Sequence, residues 1–147
     1  MTTQAMRFHP ASPILRVGNL ATSLRYYVDL LGFSIDWEYG GRIASVSRDS
    51  CCLFLCEGDQ GNPGAWAWIG VGDADALHEE LRAKGARIRH RPTNYPWALE
   101  MQVEDLDGNV LRLGSDSREG EPFGEWLDMH GRRWVESPQG GPLCLDP

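Results

Sequence analysis

From Tyr95 to Gly114 the chain reads YPWALEMQVEDLDGNVLRLG. Two short runs of alternating apolar and polar residues flank an Asp-Leu-Asp-Gly-Asn centre. Alternation at period two marks a half-buried strand. Asp-Gly and Gly-Asn are hairpin signals, because Gly and Asn tolerate positive φ. The pattern predicts a β-hairpin with two unlike faces. Leu99, Met101 and Val103 point one way, Glu100 and Gln102 the other, with Trp97 leading in. One face suits a core, which leaves the other free to line a site.

Elsewhere the pattern repeats itself. Val17-Gly18-Asn19 precedes the amphipathic run SLRYYVDLLGFSI, and Val71-Gly72-Asp73 precedes ALHEELRAKGARI. In both, Asn or Asp stands where a helix N-cap is wanted and Gly where the helix must stop, at Gly32 and Gly85. The offset of about 53 residues points to two copies of one supersecondary unit. Each copy reads as strand, helix and three strands: 14–18, 20–31, 34–39, 42–47 and 51–57, then 65–71, 73–83, 87–91, 98–103 and 110–114. A Gly-rich linker, 58–64, joins them. Beyond Gly114, EPFGEWLDM has the spacing of a short amphipathic helix and GRRWVE that of a short strand. Trp126 and Trp134 are too apolar to leave exposed cheaply, so they are expected to pack on the domain or across a dimer. The final SPQGGPLCLDP reads as mobile.

Composition narrows the function classes. At 147 residues and 41% hydrophobic the chain suits one ordinary domain with a real core. A net charge of −7 argues against nucleic acid, which needs clustered cations, and favours cationic ligands. Arg82, Lys84, Arg87, Arg89 and Arg91 do cluster, but straddle a helix end and a strand and read as a solvated face. No apolar run approaches the ~18–20 residues of a membrane span, and MTTQAMRFHPASP lacks a signal-peptide layout. A cytoplasmic protein with no membrane partner is expected. Cys51, Cys52, Cys56 and Cys144 lack the spacing of a zinc site and read as packing thiols in a reducing compartment.

Two βαβββ units, the motif SLRYYVDLLGF and the hairpin DLDGNVLRLG resemble the glyoxalase/bleomycin-resistance (vicinal oxygen chelate) superfamily over about residues 12–114. The chain is most similar to its bleomycin-resistance proteins. SPILRVGNLATSLRYYVDLLGFSIDW resembles their first strand, helix and second strand; AWAWIGV, their Trp-x-Trp strand; YPWALEMQVEDLDGN, their Pro-Trp-containing last hairpin. The resemblance implies an α+β fold in which two βαβββ modules, about 12–57 and 65–114, form a curved mixed sheet. It places the family domain at 1–118 and leaves 119–147 as an extension.

Catalytic members hold a divalent metal with His, Gln or Glu on inner strand faces. By resemblance those positions fall near Ser12, at Trp66 and at Arg112. A weakly donating hydroxyl, an indole and a cation make no metal site, and Pro13, Ala67 and Leu113 one residue on are no better. His9, His78, His90 and His130 form no local converging pair. Ser45 and Ser47 have no His nearby in sequence and read as polar lining. Neither a resident metal nor another cofactor is expected, and catalysis loses its Lewis acid.

What remains is a groove. Alternation turns Trp66 and Trp68 to one face, with Arg112, Val110 and Gly114 beside them. By resemblance, Trp37 and Trp97 stand at the rim. Asp36, Glu38 and Glu100 add attraction for a cation, while Phe54 and Gln102 complete the candidate set. The resemblance implies non-catalytic sequestration of bleomycin-like antibiotics, which carry a flat bithiazole, a cationic tail and their own metal-chelating head. It also implies a homodimer whose grooves draw on both subunits, so that Trp37 and Trp97 meet across the interface. Two alternatives stay open: a metal-dependent lyase or dioxygenase with displaced ligands, and a binder of another aromatic small molecule.

Overall fold

In the computed structural model, which describes residues 5–147, both units take the predicted order. The first contains β1 (Ile14–Val17), α1 (Leu20–Arg25), β2 (Ser34–Tyr39), β3 (Ile43–Arg48) and β4 (Cys51–Glu57). The second contains β5 (Trp66–Gly70), α2 (Ala74–Ala83), β6 (Arg87–Asn94), β7 (Leu99–Glu104) and β8 (Val110–Ser115). The sheet resolves into two four-stranded halves, ordered β1-β4-β3-β2 and β5-β8-β7-β6. In each, the first and last strands of the unit pair in parallel and the rest antiparallel.

The helix signals act through the predicted atoms. Asn19 accepts from the Thr22 N–H, and Asp73 from the Ala76 N–H. Gly32 and Gly85 take positive φ, 77° and 82°. Past Arg25 the first helix continues as a π-helical turn, Tyr26–Leu30, closed by the Leu31 N–H on the Tyr26 carbonyl. Within it the adjacent Tyr26 and Tyr27 are both buried.

Alternation sends Leu15, Val17, Ala44, Val46, Leu53 and Leu55 inward from the first sheet, and Met101, Val103, Leu111 and Leu113 from the second. With α1 and Leu81 of α2 they form a shared core. Full burial of each large side chain is worth about 1.5–3 kcal/mol.

The Asp-Leu-Asp-Gly-Asn turn clamps the two units together. Asp105, 1% exposed, accepts from the Tyr27 hydroxyl at 2.9 Å, the Asn109 amide and the backbone N–H groups of Asp107 and Asn109. Asn109 donates to the Arg16 carbonyl and accepts from the Ala65 N–H. Asp107 accepts from the Gly18 N–H.

The tail differs from its predicted helix. Residues 121–129 form no helix and include β9 (Trp126–Leu127), which pairs with β10 (Arg133–Glu136); β11 (Pro142–Cys144) completes a three-stranded antiparallel sheet. Pro122 and Gly124 interrupt the helical period. The backbone there is also engaged elsewhere: Gly124 donates to the Asn94 carbonyl, and the Tyr95 hydroxyl donates to that of Glu125. The final stretch, expected mobile, contributes β11 and the Arg133–Asp146 ion pair. All four cysteines are free thiols. Among the described residues no helix is long and apolar enough to cross a membrane.

Candidate ligand-binding site

The free face of the second sheet is organised by one carboxylate. Glu100 stands on β7, opposite Gly114 of β8, and is 1% exposed. Its Oε1 accepts from the Trp68 indole N–H (3.1 Å), the Trp97 indole N–H (3.1 Å) and Arg112 Nη2 (3.0 Å), and its Oε2 from Arg112 Nε (2.9 Å). The residues come from three places. Trp68 and Arg112 are register partners on β5 and β8, and Trp97 lies in the turn before β7. Gly114 admits the Trp68 ring: a Cβ there would stand 2.9 Å from the indole. Glu100, expected to attract a ligand cation, is thus saturated by donors and neutralised by Arg112. Its work is to fix two indoles and a guanidinium in place.

Around this floor the aromatic rings continue. Trp97 stacks on Tyr95, with centroids 4.8 Å apart and planes at 12°; Trp126 of the tail meets Trp97 edge-on at 5.0 Å. Burial pushes the Tyr95 phenol up to about 12, so it stays a donor to the tail. Arg89 lies over the Trp66 ring, 5.4 Å from its centroid. Between sheet and tail opens a cleft of ≈ 670 Å³. Trp66, Trp97, Gln102 and Arg112 line its sheet side, and Trp126, Leu127, Met129 and Glu136 its tail side. A drug-sized ligand needs a pocket of about 300–1,000 Å³.

The other candidates lie on the first sheet. Trp37 packs edge-on against Phe54 at 5.3 Å. Asp36 accepts from the Ser47 and Ser45 hydroxyls at 2.6 and 2.8 Å, which holds its carboxyl below the usual range. Glu38 departs from the expected acidic wall. The β2–β3 register slips between Ile35 and Trp37, so Asp36 turns toward Ser45 while Glu38 lies beside Ala21, Leu24 and Arg25 of α1. A one-residue bulge reverses the alternation that would otherwise keep the two acids together. Trp37, Phe54 and Asp36 do not line the cleft, and Trp68 borders a separate crevice beside Pro13, Cys52 and Leu53. Within one chain, Trp37 and Trp97 therefore belong to different surfaces.

The metal of catalytic relatives does not fit these residues. Arg112 commits its guanidinium to the floor carboxylate, and Trp66 offers no lone pair. Among the described residues no three His, Cys, Asp or Glu side chains converge as a metal would require.

Sequence reasoning missed the tail side of the cleft. Its signal was the pair Trp126 and Trp134, legible as apolar residues needing cover but not as facing Trp97.

The family model of the Glyoxalase/Bleomycin resistance protein/Dioxygenase superfamily matches residues 7–113 and ends before the three tail strands. Similar solved structures include the bleomycin-binding protein from bleomycin-producing Streptomyces verticillus complexed with copper(II)-bleomycin. It is 26% identical, with a TM-score of 0.66, over 77% of this chain and 100% of that one. TioX from Micromonospora sp. ML1 is 17% identical, with a TM-score of 0.62, over 73% of this chain and 98% of the other. A glyoxalase/bleomycin resistance protein/dioxygenase from Nocardioides is 18% identical, with a TM-score of 0.60, over 81% and 91%. No curated protein sequence matches the chain. The repeat, the topology and the match over residues 7–113 together place this chain in the glyoxalase/bleomycin resistance protein/dioxygenase superfamily.

Proposed function

We propose that this protein reversibly binds and sequesters a flat, cationic antibiotic of the bleomycin type, without chemical change, and that resistance follows from removal of free drug in the cytoplasm. The observation that carries this reading is the indole face of the second sheet. Trp66, Trp68 and Trp97 share it, and Glu100 locks two of the three in orientation. Rings already held in place lose little freedom on binding, and each stacked aromatic pair adds about 0.5–1.5 kcal/mol beyond its buried area. The likeness to a bleomycin-binding protein supports the ligand class. In the same reading the functional unit is a homodimer, with the partner subunit's Trp37, Phe54 and Asp36 facing the cleft of the first. Asp36 retains its carboxylate for a cation there.

The test is a titration with bleomycin, metal-free and copper-loaded, followed by tryptophan fluorescence. Saturable quenching by both forms, weakened in Trp97→Ala and Trp37→Ala, supports the reading. No response at tens of micromolar drug refutes it.

A further inference from the structure

The three tail strands lie outside the family match, yet they are tied firmly to the domain. Asn94, 7% exposed, donates through its amide to the carbonyls of Arg118 and Glu121 and accepts from the Arg118 N–H. Arg118 pairs with Asp75 at the start of α2. Gly124 passes so close to Thr93 that a Cβ would overlap the Thr93 methyl. Asp128 shapes the turn into β10: it accepts from the N–H groups of His130 and Arg132, the Arg132 guanidinium and the Trp134 indole. The tail is thus a built wall, set over the free face of the second sheet.

Its chemistry is specific. Asp128 is consumed by its own turn. Glu136 uses one oxygen on the Gly141 N–H and, among the described residues, has no basic partner. On the floor opposite, Gln102 is 3% exposed and its Oε1 has no hydrogen-bond partner. His90, across the ladder from Gln102, does not supply the missing proton. Its Nδ1 donates to the Arg91 carbonyl, so the neutral ring's Nε2 is itself an acceptor, also without a partner. Both atoms have essentially no accessible surface, so among the lining residues Glu136 is the polar group left for a ligand.

We infer that the C-terminal strands form, within one chain, the selective wall of the ligand site: Trp126 and Trp97 receive a flat aromatic group and Glu136 its cationic substituent. This rests on the binding reading above and adds to it the segment that chooses the ligand.

Thioflavin T, a flat benzothiazole cation, is the probe, with the anionic 8-anilinonaphthalene-1-sulfonate as its charge opposite. The full-length protein is expected to bind thioflavin T saturably and the anion at least about tenfold more weakly. Glu136→Gln keeps an acceptor for Gly141 and should lose about three- to tenfold in affinity for the cation alone. Trp126→Ala should lose about tenfold, while Gln139→Ala, in the β10–β11 turn away from the cleft, should bind as wild type. Equal binding by wild type, Glu136→Gln and Trp126→Ala, or no binding by wild type, overturns the inference. Bleomycin then competes with the bound dye. Displacement supports both readings. Dye that binds through Glu136 and Trp126 but is not displaced leaves the tail wall standing and counts against a bleomycin-type ligand.

Discussion

Replacing Glu100 by alanine removes the acceptor shared by Trp68, Trp97 and Arg112. Removing one partner of a buried ion pair costs about 3–5 kcal/mol, because the other charge stays behind. The side chain of Arg112 is 32% exposed, and the two indole N–H groups belong to half-exposed rings that water reaches. The loss therefore falls at the lower end, about 3 kcal/mol. Glu100→Gln keeps one acceptor oxygen and should lose only about 1–2 kcal/mol. With a urea dependence of about 1–3 kcal/mol per molar, the alanine midpoint should drop by about 1–3 M, read by far-ultraviolet circular dichroism so that indole signals do not intrude. Adding Arg112→Met to Glu100→Ala should recover at least half the loss, since deleting both members of a buried pair is often neutral. A Glu100→Ala midpoint within about 0.2 M of wild type would make the carboxylate an ordinary surface charge and not the anchor of the floor.

Tyr27→Phe deletes a donor to the buried Asp105 and should cost about 1.5–3 kcal/mol in urea unfolding; an unchanged midpoint would remove the turn from its clamping role. Gly124→Ala should release the tail by collision with Thr93, seen as faster limited proteolysis between residues 115 and 126 with the remaining domain intact; wild-type resistance would count against the close approach. Burial lowers the affinity of His90 for a proton, despite its bond to the Arg91 carbonyl. The unfolded chain then takes up that proton first as pH falls through about 6.5. The contribution of His90 to stability is therefore full above that pH and declines below it. His90→Gln should flatten the pH dependence of stability between pH 7.5 and 5.5, and an unchanged slope would exclude the imidazole as its source.

How legible this was depends on sequence distance. Asn19 and Gly32, and Asp73 and Gly85, are local signals, and they placed both helices and the repeat. Alternation set the inward and outward faces of β5, β7 and β8, including Glu100 and Arg112. It failed at Glu38, because the bulge before it depends on the partner strand, which a single run does not show. The partners of Glu100 were equally hidden, since Trp68 lies 32 positions away. The tail misled for the opposite reason. Its local period is helical, but Asn94 and Tyr95 engage its backbone and hold it out of a helix.

Reversible binding on the indole face is measured by calorimetric titration of bleomycin followed by recovery of the drug. Wild type should bind saturably, Trp97→Ala at least about tenfold more weakly, and the drug should be recovered from the complex with unchanged mass. Drug of altered mass would show chemistry in place of sequestration, and equal affinity in Trp97→Ala would place the drug away from the indole face.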